Sequence, residues 1–180
     1  MNTNLKKGFT LVELLIVIAI LAILAVAVVL VLNPAQLLKQ GRDATRVSDM
    51  AAVNNAIALY LTDVASPSLG AAGSYCTASV ATTTAPYVSS ATCTYTASTA
   101  VDGNGWVKVN FGSVSAGSPI SKLPVDPANT TNYMYVYGTN GAALGYKLGT
   151  VLESTKYAGQ MTTDGGTAAG WYEVGNLMSL

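Results

Sequence analysis

The amino-terminal part of the chain contains the apolar run FTLVELLIVIAILAILAVAVVLVL, residues Phe9–Leu32. Every residue of this run except Thr10 and Glu13 is apolar. As a helix the run is about 36 Å long, which is enough to cross the hydrocarbon core of a bilayer, about 30 Å thick. The sequence therefore predicts a membrane-spanning helix over residues 9–32.

The residues on either side of this run predict its orientation. Lys6 and Lys7 come almost directly before it, and positive charge beside a span holds that end in the cytoplasm. A cleaved secretory signal peptide is the alternative, but its apolar core is about 7–15 residues long and ends at a small-residue cleavage site. Here a longer run leads straight to Asn33-Pro34. We therefore expect the rest of the chain on the far side of the membrane.

The composition excludes several classes of function. The 180 residues include nine cations, nine anions and no histidine. Without histidine there is no Ser-His-Asp or Cys-His catalytic arrangement and no imidazole metal ligand. Charge this sparse and balanced does not supply the basic surface that nucleic acid binding needs. Beyond the apolar run about 46% of residues are apolar, as in an ordinary soluble domain. We expect a soluble head that is neither an enzyme nor a nucleic acid binder.

The two cysteines lie in this head. Cys76 and Cys93 have a spacing that suits a disulfide-closed loop and matches no CxxC redox or zinc pattern. A disulfide would place the head in an oxidising compartment. The alternative is a pair of unrelated buried thiols.

A second helix is predicted after the apolar run. Asn33 is a good helix cap and Pro34 a good first helical residue, so a kink or break is expected there. Beyond it, apolar residues at three- and four-residue spacing predict one face that packs on a sheet. These are Val47, Met50, Val53, Ile57, Tyr60, Leu61 and Val64. The charged residues of this helix are expected to be solvated, with bridges between subunits as the alternative. They are Lys39, Arg42, Asp43, Arg46 and Asp49.

The sequence after the second helix predicts a β-rich head. Pro67 and Gly70 end the second helix, and the Ser/Thr-rich segment 77–99 is expected to form a disulfide-tethered loop or hairpin. Alternating or β-rich patterns then predict strands, with Asn140-Gly141 as a hairpin turn. The predicted strands are Trp106–Phe111, Tyr133–Tyr137, Gly145–Leu152 and Gly170–Val174. The fold class expected is α+β: a long amino-terminal helix, its upper half packed on a small antiparallel sheet.

Glu13 has no place in an ordinary membrane anchor. A charge at the centre of a span costs about 2.5–3.5 kcal/mol on insertion scales, so something must offset it. The residues around Glu13, KKGFTLVE from Lys6 to Glu13, resemble the start of type IV pilins and pseudopilins. The resemblance implies cleavage between Gly8 and Phe9 by a prepilin peptidase, methylation of the Phe9 amine, and pairing of Glu13 with the amino terminus of a neighbouring subunit. The alternative is that Glu13 reaches the membrane surface and has no partner.

This resemblance also implies a domain plan and a function. The plan is a leader over 1–8, a transmembrane and filament-core helix over 9–32, an amphipathic helix over 33–64 and a head over 65–180. The function implied is the major subunit of a type IV pilus. The partners implied are the membrane, the prepilin peptidase and methyltransferase, the pilus assembly machinery and further copies of the chain. A minor pilin, a type II secretion pseudopilin and a non-polymerising anchored domain are the alternatives. Adhesion, motility, DNA uptake and secretion stay open as outer roles.

A looser resemblance covers Leu123–Pro127 and the tyrosine-rich strands after it. Some pseudopilins bind calcium in this region, and the conceivable ligands here are Asp126, Asn129 and Asp164. Calcium takes six to eight oxygens with several carboxylates, and the acids here are too few. We therefore expect Asp126 and Asp164 to hold turns, and we expect no metal and no cofactor.

Overall fold

The computed structural model describes residues 8–78 and 93–180. These residues form two compact units that divide between Leu38 and Lys39. We call the second of them, Lys39–Leu180, the head unit. Residues 1–7, which include Lys6 and Lys7, lie outside the described residues, as does most of the Ser/Thr-rich segment 77–99.

The first unit contains helix α1, Leu11–Leu32. Its most apolar window has a mean hydropathy of 3.6, and the helix is long and apolar enough to cross a membrane. It ends at Asn33, whose backbone is left-handed with φ 40°. The Asn33 side chain then accepts a 3.3 Å hydrogen bond from the backbone N–H of Gln36, and helix α2 runs over Pro34–Asp63. The break and the cap that Asn33-Pro34 predicted are both confirmed.

The head unit is built on one five-stranded sheet. The strands are β1 Gly73–Cys76, β2 Thr94–Tyr95, β3 Val136–Thr139, β4 Tyr146–Thr150 and β5 Tyr172–Gly175. Their order across the sheet is β2-β1-β3-β4-β5. The pairs β1–β3, β3–β4 and β4–β5 are antiparallel. A short helix α3, Gln160–Thr163, lies between the last two strands in sequence.

The hairpin prediction is confirmed at β3 and β4. Val136 pairs with Gly149 and Thr139 with Tyr146, and Gly141 takes the positive φ of 69° in the connection. The Asn140 side chain closes the turn by accepting a 2.8 Å bond from the Gly145 N–H. Glycine tolerates this left-handed backbone without a steric penalty, which explains its place in the turn.

One edge of the sheet departs from the prediction. β2 pairs with β1 in parallel, with Tyr75 opposite Thr94 and Cys76 opposite Tyr95. The sheet is therefore mixed. The segment 77–99 was predicted to be a disulfide-tethered loop or hairpin, and the parallel pairing rules out the hairpin and agrees with the loop. A parallel neighbour needs a crossover of about a dozen residues or more, and the 17-residue separation of Cys76 and Cys93 supplies one. These cysteines form a disulfide with a Cα–Cα distance of 5.8 Å.

The main core lies between α2 and one face of the sheet. Met50, Val53 and Ile57 of α2 are fully buried, and Tyr60 is 4% exposed. This predicted stripe packs with Tyr135, Tyr137, Tyr146 and Leu148 from the sheet region in one cluster. A smaller cluster contains Cys76, Met134, Val136 and Trp171. Tyr135 and Tyr137 belong to the first cluster and Val136 to the second, because successive strand residues point to opposite faces.

Residues Trp106–Phe111 do not form the predicted strand, although the side chains predicted to be buried are buried. Val107, Val109 and Phe111 are buried and Asn110 is exposed, as the alternation predicted. The backbone, however, bonds to the preceding loop instead of joining the sheet. Asp102 and Asn110 form an isolated bridge, and the Phe111 N–H donates to Val101 O at 2.8 Å. The apolar side chains thus enter the main core from a loop.

Candidate assembly site

The start of α1 holds Glu13 in a capping box with Thr10. The Thr10 N–H donates to Glu13 Oε2 at 2.7 Å, and the Thr10 hydroxyl donates to the same oxygen at 2.8 Å. The Glu13 N–H donates back to Thr10 Oγ1 at 3.2 Å. A capping box satisfies orphan donors at a helix start. A single copy of the chain therefore already supplies the Glu13 carboxylate with hydrogen bonds, both of them on one oxygen.

The helix around this carboxylate is apolar and uncovered. Every residue from Gly8 to Ala35 whose burial is described is exposed, and Phe9 is 90% exposed. The apolar side chains leave no polar face, so no side of α1 is suited to water. A helix that is apolar all round belongs in a membrane or inside a protein assembly. Glu13 is the only charged residue from Gly8 to Leu38.

A groove lies further along the same helix. It has a volume of about 320 Å³ and is lined by Leu24, Ala27, Val28, Val31 and Leu32. The small side chain of Ala27 leaves the depression among larger neighbours. Small residues of this kind let a second helix approach closely in apolar surroundings.

The predicted site residues fall into two groups. Gly8, Phe9 and Glu13 lie together at the start of α1, where a Cβ at Gly8 would meet nothing within 4 Å. Cys76 and Cys93 belong to the head unit, at the junction of β1 and β2. Cys76 is fully buried and Cys93 is half-buried.

The interpretation of the α2 charges as solvated is wrong most clearly for Asp43 and Arg46. Asp43 and Arg46 are fully buried, because Arg46 lies at the centre of an ion cluster in the head unit. Its Nε and Nη2 bind both oxygens of Asp126, at 2.6 and 3.0 Å. Its Nη1 binds Asp43 Oδ1 and Glu153 Oε1, each at 2.8 Å.

Further contacts tie this cluster to α2. Arg42 makes a second two-pronged pair with Glu153, at 2.5 and 2.8 Å. Arg42 and Arg46 are like charges one helical turn apart, and Glu153 bonds to both of them. The Asp43 carboxylate also accepts the backbone N–H groups of Glu153 and Ser154. Three separate parts of the chain therefore meet at one guanidinium.

The electrostatics of the cluster follow from these bonds. Hydrogen bonds from Arg42, and then from Arg46, hold the pKa of Glu153 down at about 2, although burial acts in the opposite direction. Burial lowers the pKa of Arg46, but its bonds to the surrounding carboxylates raise it by more. Glu153 and Arg46 are therefore charged at neutral pH, as ion pairing requires.

A signal for this cluster was present in the sequence. Residues 43, 46, 50, 53, 57 and 60 follow one three- and four-residue spacing, so Asp43 and Arg46 continue the apolar stripe toward the start of α2. Charged residues in line with a core face need partners inside the fold. Those partners, Asp126 and Glu153, carry no local sign of their role.

The remaining charged position of this region binds a tyrosine. The Tyr135 hydroxyl donates to Asp49 Oδ2 at 2.7 Å. Burial raises the pKa of Asp49, and the bond from Tyr135 offsets part of that rise. Asp49 is half-buried, so it too is turned toward the head and not solvated as predicted.

The carboxylates of Asp126 and Asp164, which were considered as calcium ligands, accept hydrogen bonds from backbone N–H groups. Asp126 Oδ1 accepts the backbone N–H groups of Ala128 and Asn129, at 2.8 and 3.0 Å. Asp164 accepts from the N–H groups of Gly166 and Glu173, at 2.9 and 2.7 Å. Within residues 8–78 and 93–180, no group of three or more histidine, cysteine or acidic side chains is arranged to hold a metal ion.

Comparison with known proteins adds one finding about the start of the chain. The family model of the prokaryotic N-terminal methylation motif matches residues 3–29. This motif is typical of type IV pilin-like precursors and supports the resemblance to that family. The match includes Gly8, Phe9 and Glu13 but ends before α2, so it does not extend to the head unit. No curated protein and no solved structure matches the chain.

The motif and the fold agree on the class of protein. The motif points to a structural protein and fits a membrane-anchored precursor, and α1 has the length and composition to cross a membrane. The predicted α+β fold is confirmed by the long amino-terminal helical region and the small sheet of the head unit.

Proposed function

We propose that this chain is the major structural subunit of a type IV pilus. A prepilin peptidase cuts between Gly8 and Phe9 on the cytoplasmic side, and the new amine of Phe9 is methylated. The mature chain then leaves the membrane and packs its α1 helix among those of other copies. The observation that carries this proposal is α1 itself, which is exposed and apolar on every side with one carboxylate in its first turn.

The role of Glu13 follows from the energetics of that transfer. A carboxylate surrounded by apolar helices is costly unless it is paired. The methylated ammonium at Phe9 of a neighbouring copy is a cation of matching charge, and each group favours the charged form of the other. Incorrect register along the fibre leaves both charges unpaired. Thr10 partners the carboxylate until the neighbour arrives, through the bonds seen in the single chain.

The head supports an exported location. A disulfide joins Cys76 to Cys93, and disulfides persist in oxidising compartments outside the cytoplasm. With Lys6 and Lys7 holding the amino terminus in the cytoplasm, the precursor crosses the membrane once. The head of the assembled subunit lies on the outside of the fibre.

The test is to shear fibres from the source cells and determine the intact mass and the first residue of this protein. Abundant fibres made of chains that begin at N-methyl-Phe9 are the expected result. The same Phe9 start confined to the membrane fraction would assign the chain to a pseudopilin or a minor pilin. A retained Met1 would contradict processing and assembly together.

A further inference from the structure

One tripeptide of the head has no part in the proposed assembly. Asn129-Thr130-Thr131 is the single Asn-x-Ser/Thr sequence in the chain. In exported proteins a tripeptide of this kind accepts N-linked sugars where it lies in a surface loop. The accessibility of its side chains therefore determines whether it can be modified.

The tripeptide lies in a surface loop, residues 127–132, which we call the acceptor loop. All six of its residues are exposed. Arg46 holds both ends of this loop. Asp126, directly before it, binds the guanidinium at 2.6 and 3.0 Å, and the centre of the Tyr133 ring, directly after it, lies 4.9 Å from Arg46 Cζ. The acceptor loop therefore extends into solvent from a fixed base.

The bonds that shape the acceptor loop use its backbone. The Asn129 N–H donates to Asp126 Oδ1 at 3.0 Å. The Thr130 N–H donates to Tyr133 O at 2.8 Å, and the Tyr133 N–H donates back to Thr130 O at 3.2 Å. Asn129 has a left-handed backbone with φ 42°, which asparagine and aspartate adopt more readily than other residues with a side chain. This preference explains an asparagine at position 129 but does not explain a hydroxyl at position 131.

The two side-chain groups that define the motif are available. Within residues 8–78 and 93–180, neither the Asn129 amide nor the Thr131 hydroxyl makes a hydrogen bond. Other asparagines of the head have structural tasks: the side-chain oxygens of Asn110, Asn140 and Asn176 each accept a backbone N–H. The Asn129 amide nitrogen is therefore free to react without loss of a contact that holds the fold.

The surface of the head gives a second, independent reason to expect an attached sugar. All charged residues of the head unit lie in the described ranges, and four of them are exposed. They are Asp63, Asp102, Lys122 and Lys156. Soluble surfaces usually have about 25–35% charged residues. A bulky, hydrophilic glycan makes a protein surface more soluble, and it would do so here without added charge.

We propose that Asn129 is an N-glycosylation site, modified by an enzyme that takes the sugar from a lipid-linked phosphate donor. The inference rests on the exported location of the head in the proposed function. In the reaction the Asn129 amide nitrogen forms a bond to the anomeric carbon of the sugar, and the bond from that carbon to the lipid phosphate breaks. The phosphate leaves with the bonding electron pair, and the nitrogen gives up one proton to water.

The membrane brings the acceptor and the donor together. In the proposed function the precursor is held in the membrane by α1 before it assembles, and the lipid of the donor lies in the same membrane. Confinement of two reactants to one surface raises the effective concentration of each for the other. We therefore place the modification on the membrane-held precursor, before it enters a fibre.

Peptide mass spectrometry of the protein from its source cells tests the proposal. Trypsin releases Asn129 within residues 123–147, between Lys122 and Lys147. We expect this peptide to carry the added mass of sugar units, and electron-transfer fragmentation to locate them on Asn129. Sugar on a threonine instead, or an unmodified peptide from a chain with a Phe9 start and oxidised cysteines, would overturn the inference alone.

The same sample separates this inference from the proposed function. A retained Met1 on a chain with sugar at Asn129 would overturn the proposed function alone, because export without processing would then be established. A retained Met1 with free thiols and an unmodified peptide would overturn both.

Four variants expressed in the source cells test the motif itself. Asn129→Asp keeps a residue suited to the left-handed backbone, and Thr131→Val keeps the shape of the side chain without its hydroxyl, so both should lose the added mass. Thr131→Ser keeps the hydroxyl and Asn132→Asp lies outside the motif, so both should retain the added mass. All three positions are exposed, and the near-ultraviolet dichroism of the head should be unchanged in every variant. Retention of the added mass in Asn129→Asp or in Thr131→Val would overturn the inference.

Discussion

Glu13 is the residue on which assembly depends in our proposal. Its two acceptor bonds come from Thr10 of its own chain, and glutamine retains a carbonyl oxygen that can accept them. Glu13→Gln should therefore keep the cap and the membrane insertion but remove the charge that pairs with a neighbouring amine. We expect a Phe9 start and a fibre yield reduced at least about 100-fold, as the loss of a buried ion pair implies. The yield of sheared fibres measures this, and normal fibres from Glu13→Gln would contradict the pairing role.

Arg46 is the residue on which we expect the stability of the head to depend. Arg46→Ala removes the cation shared by Asp43, Asp126 and Glu153 and leaves their carboxylates buried. We expect a loss of about 3–5 kcal/mol in the free energy of unfolding. Arg42→Ala is the control, since the Arg42 side chain is 37% exposed, and it should cost about 1 kcal/mol or less. Denaturant unfolding of the full chain in detergent, followed by tryptophan fluorescence, measures both. Equal losses in the two variants would refute the central role of Arg46.

Glu153 links head stability to acid. Its pKa is about 2 in the fold against an ordinary value of 4.5. A depressed folded-state pKa gives stability that is complete above pH 4.5 and is lost as the pH falls toward 2. The advantage of the wild type over Glu153→Gln in unfolding free energy should therefore shrink over this range. The pKa of Asp49 is raised, so its contribution to stability has the opposite pH dependence. Because Asp49 is present in both the wild type and Glu153→Gln, this contribution cancels in the comparison. If the difference in unfolding free energy between the wild type and Glu153→Gln does not change between pH 5 and pH 2, the lowered pKa of Glu153 would be contradicted.

At the scale of elements, β2 depends on the disulfide. It has two exposed residues, and the Thr96 N–H donates beside it to Cys76 O at 2.9 Å. A strand this short is not stable by itself, so the Cys76–Cys93 bond holds it against β1. Neither cysteine belongs to the main core, so the core does not depend on the disulfide.

Cys93→Ser should therefore release β2 and leave the rest of the sheet intact. Amide hydrogen exchange at Thr94–Thr96 should become fast, while exchange in β3 and β4 stays slow. The free energy of unfolding should fall by about 2–4 kcal/mol. Alkylation of the unreduced wild-type protein is the control and should label neither cysteine. Unchanged protection at Thr96 would show that backbone pairing alone holds β2.

At the scale of the whole molecule, the apolar surface and the folded head belong to different units. The exposed aliphatic side chains are concentrated in α1, whereas the ion cluster and both apolar clusters belong to Lys39–Leu180. A chain that begins at Lys39 should therefore be a soluble, disulfide-bonded monomer that forms no fibres. Light scattering after size exclusion measures its mass, with the full chain in detergent for comparison. Aggregation or loss of the near-ultraviolet dichroism in the truncated chain would contradict this division.

The sequence by itself determined the features that consecutive residues encode. The apolar helix, its break at Asn33-Pro34, the core stripe of α2 and the turn at Asn140-Gly141 each depend on spacing or backbone preference within a few residues. The tertiary structure alone decided the pairing of distant groups. Arg46 meets Asp126 and Glu153, 80 and 107 residues away, β2 runs parallel to β1, and residues 106–111 enter the core from a loop. Local patterns specify which side of an element is buried, but charge partners and strand neighbours depend on how the whole head closes. That closure buried Asp43 and Arg46.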